Sequence, residues 1–213
     1  VMSKIGVFEK IYEADWNGTI IPKKVDRGEW SLATAQGDEP YRFVDYETQL
    51  ENQKVITTLE QHTAYHYGCK WGCLIDKTTE EPKWNSAGWV LLEGDKNYYL
   101  DFIAPGTAKR GQVNMDITAW IKYANRDITN VLLATTGVSI EWLRDTGNIP
   151  ADNSWKPAYV DGQKNVIHID NTDEHGVGIG FGYDYQRVKF ICRVFIPVGE
   201  DIETVENYVG FRI

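Results

Sequence analysis

The chain has 213 residues and a formal net charge of -9, from 22 basic and 31 acidic side chains. This length suits one large β domain or two small ones, with a core that needs no disulfide or metal to hold it. The acidic balance excludes a protein that binds nucleic acid mainly through its phosphates. No apolar run is long enough to span a bilayer, so membrane insertion is not expected.

Residues 1–95 are predicted to form a β-rich first unit. Aromatic and β-branched residues alternate with polar ones in short stretches, which is typical of strands. Turn signals rich in Gly, Asn and Pro separate these stretches. The predicted strands of this unit are Gly6–Trp16, Trp30–Ala35, Tyr41–Tyr46, Tyr65–Ile75 and Trp89–Leu92.

Residues 96–213 are predicted to form a second unit, a β-sandwich organised around three strands. In the stretch Val138–Leu143, side chains two apart point the same way, which is the pattern of a half-buried strand. Two more strands are expected at Val166–Ile169 and Val188–Ile196. The core of this unit is predicted to contain Ile140, Trp142, Ile167, Phe190 and Cys192.

A buried Trp on one strand and a Cys on a later strand are typical of the immunoglobulin sandwich, and the spacing here resembles that fold. Trp142 then belongs to strand C, Asn165–Gly176 to strand E and its turn, and Cys192 to strand F. Strand B is expected at Thr129–Thr136, which contains no Cys. The inter-sheet disulfide is therefore absent, and packing alone joins the sheets. Phe190 stands where this family often has the tyrosine-corner Tyr, so that hydrogen bond is not expected.

The cysteines of the first unit raise the question of a metal site. Cys69 and Cys73 have a spacing found in metal sites, and His62 and His66 lie just upstream. On one continuous strand, however, the two thiols lie too far apart to hold one ion unless a turn separates them. The odd count of three cysteines also argues against a disulfide framework. Structural thiols are the preferred interpretation, with a metal site as the alternative.

The glycine-rich stretch Gly176–Gly182 superficially resembles a phosphate-binding loop. A dinucleotide site needs a strand before such a loop and a helix after it, whereas here a strand follows. A flexible loop is therefore the better interpretation. His168 and His175, on the preceding strand and its loop, are expected to be surface or core histidines rather than catalytic ones.

Pairs of carboxylates are a second kind of candidate catalytic site. Glu141 with Asp145, or Glu93 with Asp95, has the residue types of a glycosidase pair, but nothing in the sequence brings either pair to a useful distance. No nucleophile–histidine–acid order is recognisable either. We therefore predict no catalytic residue, no bound cofactor or metal, and no enzymatic activity.

Several short blocks of Trp, Gly and acidic residues together resemble another group of proteins. The blocks are Tyr67–Cys73, Glu81–Asp95, Tyr98–Phe102 and Glu141–Thr146, followed by Trp155. Their succession is similar to long tail-tip or tail-fibre proteins of phages and prophages in gut Bacteroidales, which resemble strings of β domains. The resemblance implies a structural or host-recognition role in the virion, and it assigns no functional residue.

The expected partners follow from that resemblance. They are other virion or tail proteins, further copies of the chain and a glycan on the host surface, and the expected location is the virion tail. The alternative is a carbohydrate-binding module of a bacterial surface or secreted protein, in which exposed aromatic rings stack on sugars. The chain contains 8 Trp, 12 Tyr and 7 Phe, which is compatible with either role.

Overall fold

The computed structural model describes residues 21–49, 55–106, 113–170 and 187–212. Strands make up 56% of it and helices 10%, so the predicted all-β class is confirmed. The predicted strand Gly6–Trp16 and the glycine-rich stretch Gly176–Gly182 lie outside the described residues. Among the helices described, none has the length and apolarity needed to cross a membrane.

The chain divides into two compact units, residues 1–96 and 97–213. In the described part of the first unit, five strands form one sheet, with β3 at its centre. Strand β3 pairs in parallel with β1 and antiparallel with β2 and β4, and β5 pairs with β4. The elements are β1 (Lys23–Glu29), α1 (Leu32–Gln36), β2 (Phe43–Gln49), β3 (Val55–His66), β4 (Cys69–Cys73) and β5 (Trp89–Glu93).

Two predictions of local structure in this unit are wrong. The expected strand Tyr65–Ile75 is broken by a turn between β3 and β4, where Tyr67 and Gly68 both have positive φ, at 50° and 72°. This left-handed turn reverses the chain within two residues. The alternation of side chains in the sequence continues across the turn, so that pattern did not reveal the break. The expected strand Trp30–Ala35 is instead mostly helix α1, because the Ser31 hydroxyl accepts a hydrogen bond from the backbone N–H of Thr34 and so caps the first turn.

The second unit contains the remaining strands and two short helices. The strands are β6 (Tyr99–Ile103), β7 (Asn114–Tyr123), β8 (Arg126–Asp127), β9 (Ser139–Asp145), β10 (Ala158–Val160), β11 (Gln163–Asp170), β12 (Arg187–Val198) and β13 (Asp201–Arg212), and the helices are α2 (Thr129–Leu133) and α3 (Ile149–Ser154). One sheet has the order β10-β11-β7-β6, with β8 beside β7, and the other has the order β13-β12-β9.

This strand order is that of a seven-stranded immunoglobulin sandwich. With β6, β7 and β9 as strands A, B and C, and β10 to β13 as D to G, the sheets read A-B-E-D and C-F-G. Trp142 lies on strand C and Cys192 on strand F, as predicted, and the two residues are direct cross-strand neighbours. The cysteine thiols are free, so no disulfide joins the sheets.

The predicted position of strand B is wrong. Residues Thr129–Leu133 form helix α2, and β7 takes the place of strand B. The helix begins where it does because the Asp127 carboxylate accepts from both the backbone N–H and the hydroxyl of Thr129, at 2.9 and 2.6 Å. The same hydroxyl accepts from the backbone N–H of Ile121, which ties the start of α2 to the end of β7.

The core between the two sheets contains the residues that the alternation selected. Trp142, Ile167, Phe190 and Cys192 are at most 3% exposed, and Ile140 is half-buried. The Trp142 indole N–H donates to the carbonyl of Lys164 on β11, and its ring lies 5.8 Å from that of Phe102 on β6. Strand C thus touches two strands of the opposite sheet through one side chain.

Strand β13 forms one edge of its sheet. All 12 of its residues pair with β12 without a bulge, yet most of its side chains are exposed. Asn207 donates its side-chain amide to the carbonyl of Leu100 on β6, at 2.7 Å. Three acidic side chains, Asp201, Glu203 and Glu206, lie along this strand.

Candidate functional site

The candidate site is a groove in the second unit, beside the edge of β9 that pairs with no strand in the described part of the chain. Its volume is about 510 Å³, within the range of small-molecule sites. One wall is β9 itself, which contributes Glu141 and Leu143, with Ile191 of β12 behind them. The other wall is the segment from Asp152 to Tyr159, at the end of α3 and the start of β10.

A buried ionic network holds the second wall against β9. The Arg144 guanidinium donates from Nε to the Asp152 carboxylate at 3.0 Å and from Nη2 to the carbonyl of Ala151 at 2.9 Å. Asp152 also accepts from the backbone N–H and the hydroxyl of Thr146. The Asn148 side chain caps α3 by accepting from the N–H of Ala151. The sequence from β9 to α3 therefore folds back on itself through one carboxylate.

Two aromatic residues of this wall have different roles. Trp155 is only 5% exposed, and its ring lies 5.7 Å from that of Phe190, so it fixes the wall to the core. Tyr159 is half-buried, and the Lys164 ammonium lies 4.3 Å from the centre of its ring. Burial raises the pKa of the Tyr159 phenol, with Cys192 and Glu141 adding to the effect. The hydroxyl is therefore protonated at neutral pH and able to donate.

The groove combines apolar surface with exposed hydrogen-bonding groups. Leu143, Ile191 and the Tyr159 ring supply the apolar part. Glu141 accepts hydrogen bonds, whereas Asn153 and Lys156 donate them, and all three are exposed. A saccharide ring has an apolar face of C–H groups and a rim of hydroxyls that both donate and accept. The arrangement is chemically suited to such a ligand.

The structure does not gather the residues that were considered for a metal site, although His66 and Cys69 are cross-strand neighbours. Cys69 and Cys73 are buried at the two ends of β4. His62 pairs with Glu60 and His66 with Glu81, at 3.0 and 2.8 Å. In the ranges that the structure describes, no cluster of His, Cys, Asp or Glu is arranged to hold a metal ion.

The three thiols give a prediction of their own. Burial raises the pKa of Cys69, Cys73 and Cys192, so their reactive thiolate forms are scarce near neutral pH. We expect the folded protein to react slowly with a thiol reagent at pH 8, and the unfolded, unreduced protein to titrate three thiols. Elemental analysis should find no stoichiometric zinc. Zinc released in step with Cys69 and Cys73 would contradict the structural role.

The other residues considered from the sequence lie apart from one another. Glu141 and Asp145 lie four residues apart on β9, opposite Arg193 and Lys189 of β12, and Glu141 lies 3.9 Å from Arg193. His168 is close to Asp116, at 2.7 Å. Glu93 lies 3.8 Å from Lys70. His175 lies outside the described residues, and of the candidates within them only Glu141 lines the groove.

Sequence reasoning missed Asn153, Lys156 and Tyr159. Asn153 lies near the end of a short helix whose position depends on the Arg144–Asp152 contact, Lys156 and Tyr159 follow that helix, and no periodicity marks them. The chain matches no family model, and neither a characterised protein nor a solved structure similar to it was found.

Proposed function

We propose that the chain is a non-enzymatic module of a phage-type tail or virion surface that binds a saccharide of the host surface through the groove beside β9. The observation that carries this proposal is the composition of the groove. It pairs the apolar side chains of Leu143 and Ile191 with a tyrosine ring and exposed polar groups, in a volume of about 510 Å³. Recognition of this kind requires only binding, and it needs no acid–base pair.

The short blocks that resemble tail proteins supply further support. Glu141–Thr146 forms most of β9, and Trp155 lies in the wall opposite it. The Arg144–Asp152 pair and the contact of Trp155 with Phe190 join these two parts of the chain. Two of the blocks that carry the resemblance, Glu141–Thr146 and Trp155, therefore belong to the frame of the groove.

Binding to one groove is expected to be weak and to strengthen when several copies are presented together. A shallow site with few polar anchors gives low affinity, and linked copies raise the effective concentration. We expect millimolar-range binding of the soluble chain to a bacterial polysaccharide, and clearly tighter binding when the chain is coupled to a multivalent particle. A panel of bacterial polysaccharides measured by surface plasmon resonance checks both.

The Tyr159→Ala variant tests whether the groove is the site. Loss of the ring and its hydroxyl should weaken polysaccharide binding about tenfold, equivalent to about 1.4 kcal/mol. Tyr208→Ala is the matched control, because Tyr208 is also a strand tyrosine with a lysine, Lys189, over its ring. Equal losses in both variants, or turnover of any polysaccharide, would count against the proposal.

A second candidate is a carbohydrate-binding module of a bacterial surface or secreted protein. The same groove favours it, since the chemistry of sugar recognition does not depend on the parent protein. The genes that neighbour the coding gene distinguish the two candidate functions. Neighbouring capsid and tail genes support the virion role, whereas neighbouring glycan-degradation genes support the module.

A further inference from the structure

The second unit contains another cavity, which lies against the outer face of the sheet that includes β6, β7 and β11. The outer face is the one turned away from the core. The cavity has a volume of about 430 Å³ and shares no lining residue with the groove beside β9. Thr118 and Trp120 of β7 lie on this face, because the intervening Ala119 is buried in the core. Ile103 of β6, directly opposite Thr118, also lines the cavity.

The cavity meets one face of the Trp120 ring. The Lys122 ammonium lies 4.0 Å from the centre of that ring. Thr118 and Lys122 lie on opposite sides of Trp120 along β7, and of the two only Thr118 lines the cavity. The ring face turned away from Lys122 is therefore the one beside the cavity. Together with Ile103, which is 55% exposed, it forms an apolar surface.

Polar side chains surround this apolar surface. Asp127, at the end of β8, and Asn130, in α2, are exposed, and Asn165 of β11 is half-buried. One oxygen of Asp127 accepts from the backbone N–H and hydroxyl of Thr129, which leaves the other oxygen able to accept. Asn165 donates its amide to the carbonyl of Ala119 at 3.0 Å, which leaves its own carbonyl oxygen as an acceptor. The cavity therefore combines an aromatic face with hydrogen-bond donors and acceptors.

We propose that this cavity binds an uncharged saccharide, with a sugar ring stacked on Trp120 and its hydroxyls bonded to Asp127 and the two asparagines. The C–H face of a sugar packs on an aromatic ring, and its hydroxyls both donate and accept. An anion is not favoured, because the one charged side chain among the described lining residues is the Asp127 carboxylate. A cation is not favoured either, because the Lys122 ammonium already lies over the other face of the ring.

Titration of the full chain with monosaccharides tests this assignment. Galactose, glucose and mannose are added separately to the isotopically labelled chain, and the backbone amide signals are followed by nuclear magnetic resonance. At least one of these sugars is expected to shift the amides of Thr118 and Trp120, and to bind more tightly there than galacturonate or tetramethylammonium. The amides of Leu143 and Ile191 report on the groove, so the failure of one site is distinguishable from the failure of the other. A charged probe that binds the cavity as tightly as the best sugar, or no shift with any sugar, would overturn the proposal.

Variants of the outer face show whether stacking on Trp120 drives binding. Trp120→Ala should weaken binding of the preferred monosaccharide about tenfold, and Trp120→Phe should weaken it less, because an aromatic ring remains. Tyr99→Ala should leave binding unchanged, since Tyr99 is an exposed aromatic residue of the same face that does not line the cavity. Asn130→Ala, at an exposed position, is a second cavity variant that should weaken binding if Trp120→Ala unfolds. Equal effects of the Tyr99 and cavity variants would rule out a site at Trp120.

Discussion

The Arg144→Ala variant is expected to lose about 3–5 kcal/mol of unfolding free energy, because it leaves the carboxylate of Asp152 buried without its charged partner. The Arg144 side chain is 0% exposed and that of Asp152 is 12% exposed, so the pair is held largely out of water. Chemical denaturation followed by far-ultraviolet circular dichroism measures the loss.

Arg193→Ala is the matched control for this prediction. Arg193 lies on the neighbouring strand and pairs with Glu206 and Glu141, but its side chain is 38% exposed. Loss of that pair should cost no more than about 1 kcal/mol. The double variant Arg144→Met, Asp152→Leu should recover part of the stability, since an apolar pair needs no compensating charge, although Thr146 then loses its acceptor. Similar losses in the two single arginine variants would contradict the buried network.

The Trp142→Ala variant is expected to lose about 3–5 kcal/mol, which is typical of deleting a large aromatic side chain from a packed core. Trp142 is 3% exposed and contacts the opposite sheet through both its ring and its N–H. Trp142→Phe should lose less, because it fills much of the space and forfeits mainly the hydrogen bond to Lys164.

The relative stability of the two Trp142 variants shows which contribution of the side chain is larger. If the cavity left by the ring costs more than the lost hydrogen bond, the Ala variant is the less stable of the two by urea denaturation. An Ala variant that unfolds at the wild-type urea concentration would show that this residue does not join the sheets. No disulfide is present to mask the effect, since the cysteines are free.

Side-chain alternation was sufficient to find the sandwich strands that are buried on one face. In β12, Phe190, Cys192 and Val194 alternate with exposed or half-buried residues along the whole strand, which is a long and regular pattern. The identification of strands C and F followed from it. The inference held because burial between two sheets imposes a period of two on the sequence.

The prediction failed where a short apolar run had no clear period. Val131, Leu132 and Leu133 were assigned to strand B, yet such a run suits a helix equally well. The deciding contact is the Asp127 side chain at the start of α2, a local hydrogen bond that hydrophobicity does not record. The turn at Tyr67 was also missed, because Tyr67 adopts a left-handed conformation that is more typical of Gly.

The groove was beyond sequence reasoning for a different reason. Its walls come from β9, β12 and the segment after α3, which are separated by many residues along the chain. Arg144 and Asp152 bring them together, and a sequence shows the two charges without showing that they meet. Glu141 was considered as a carboxylate, but it lines a groove only because the Arg144–Asp152 contact holds the opposite wall in place.

The long edge strand β13 has a consequence for how the protein behaves in concentrated solution. An unpaired strand edge is a template on which a second chain can add a strand, and this one is regular over 12 residues. Asp201 and Glu203 place negative charge along it, so two such edges repel each other. Where that charge is removed by substitution, the edge becomes the place where aggregation begins.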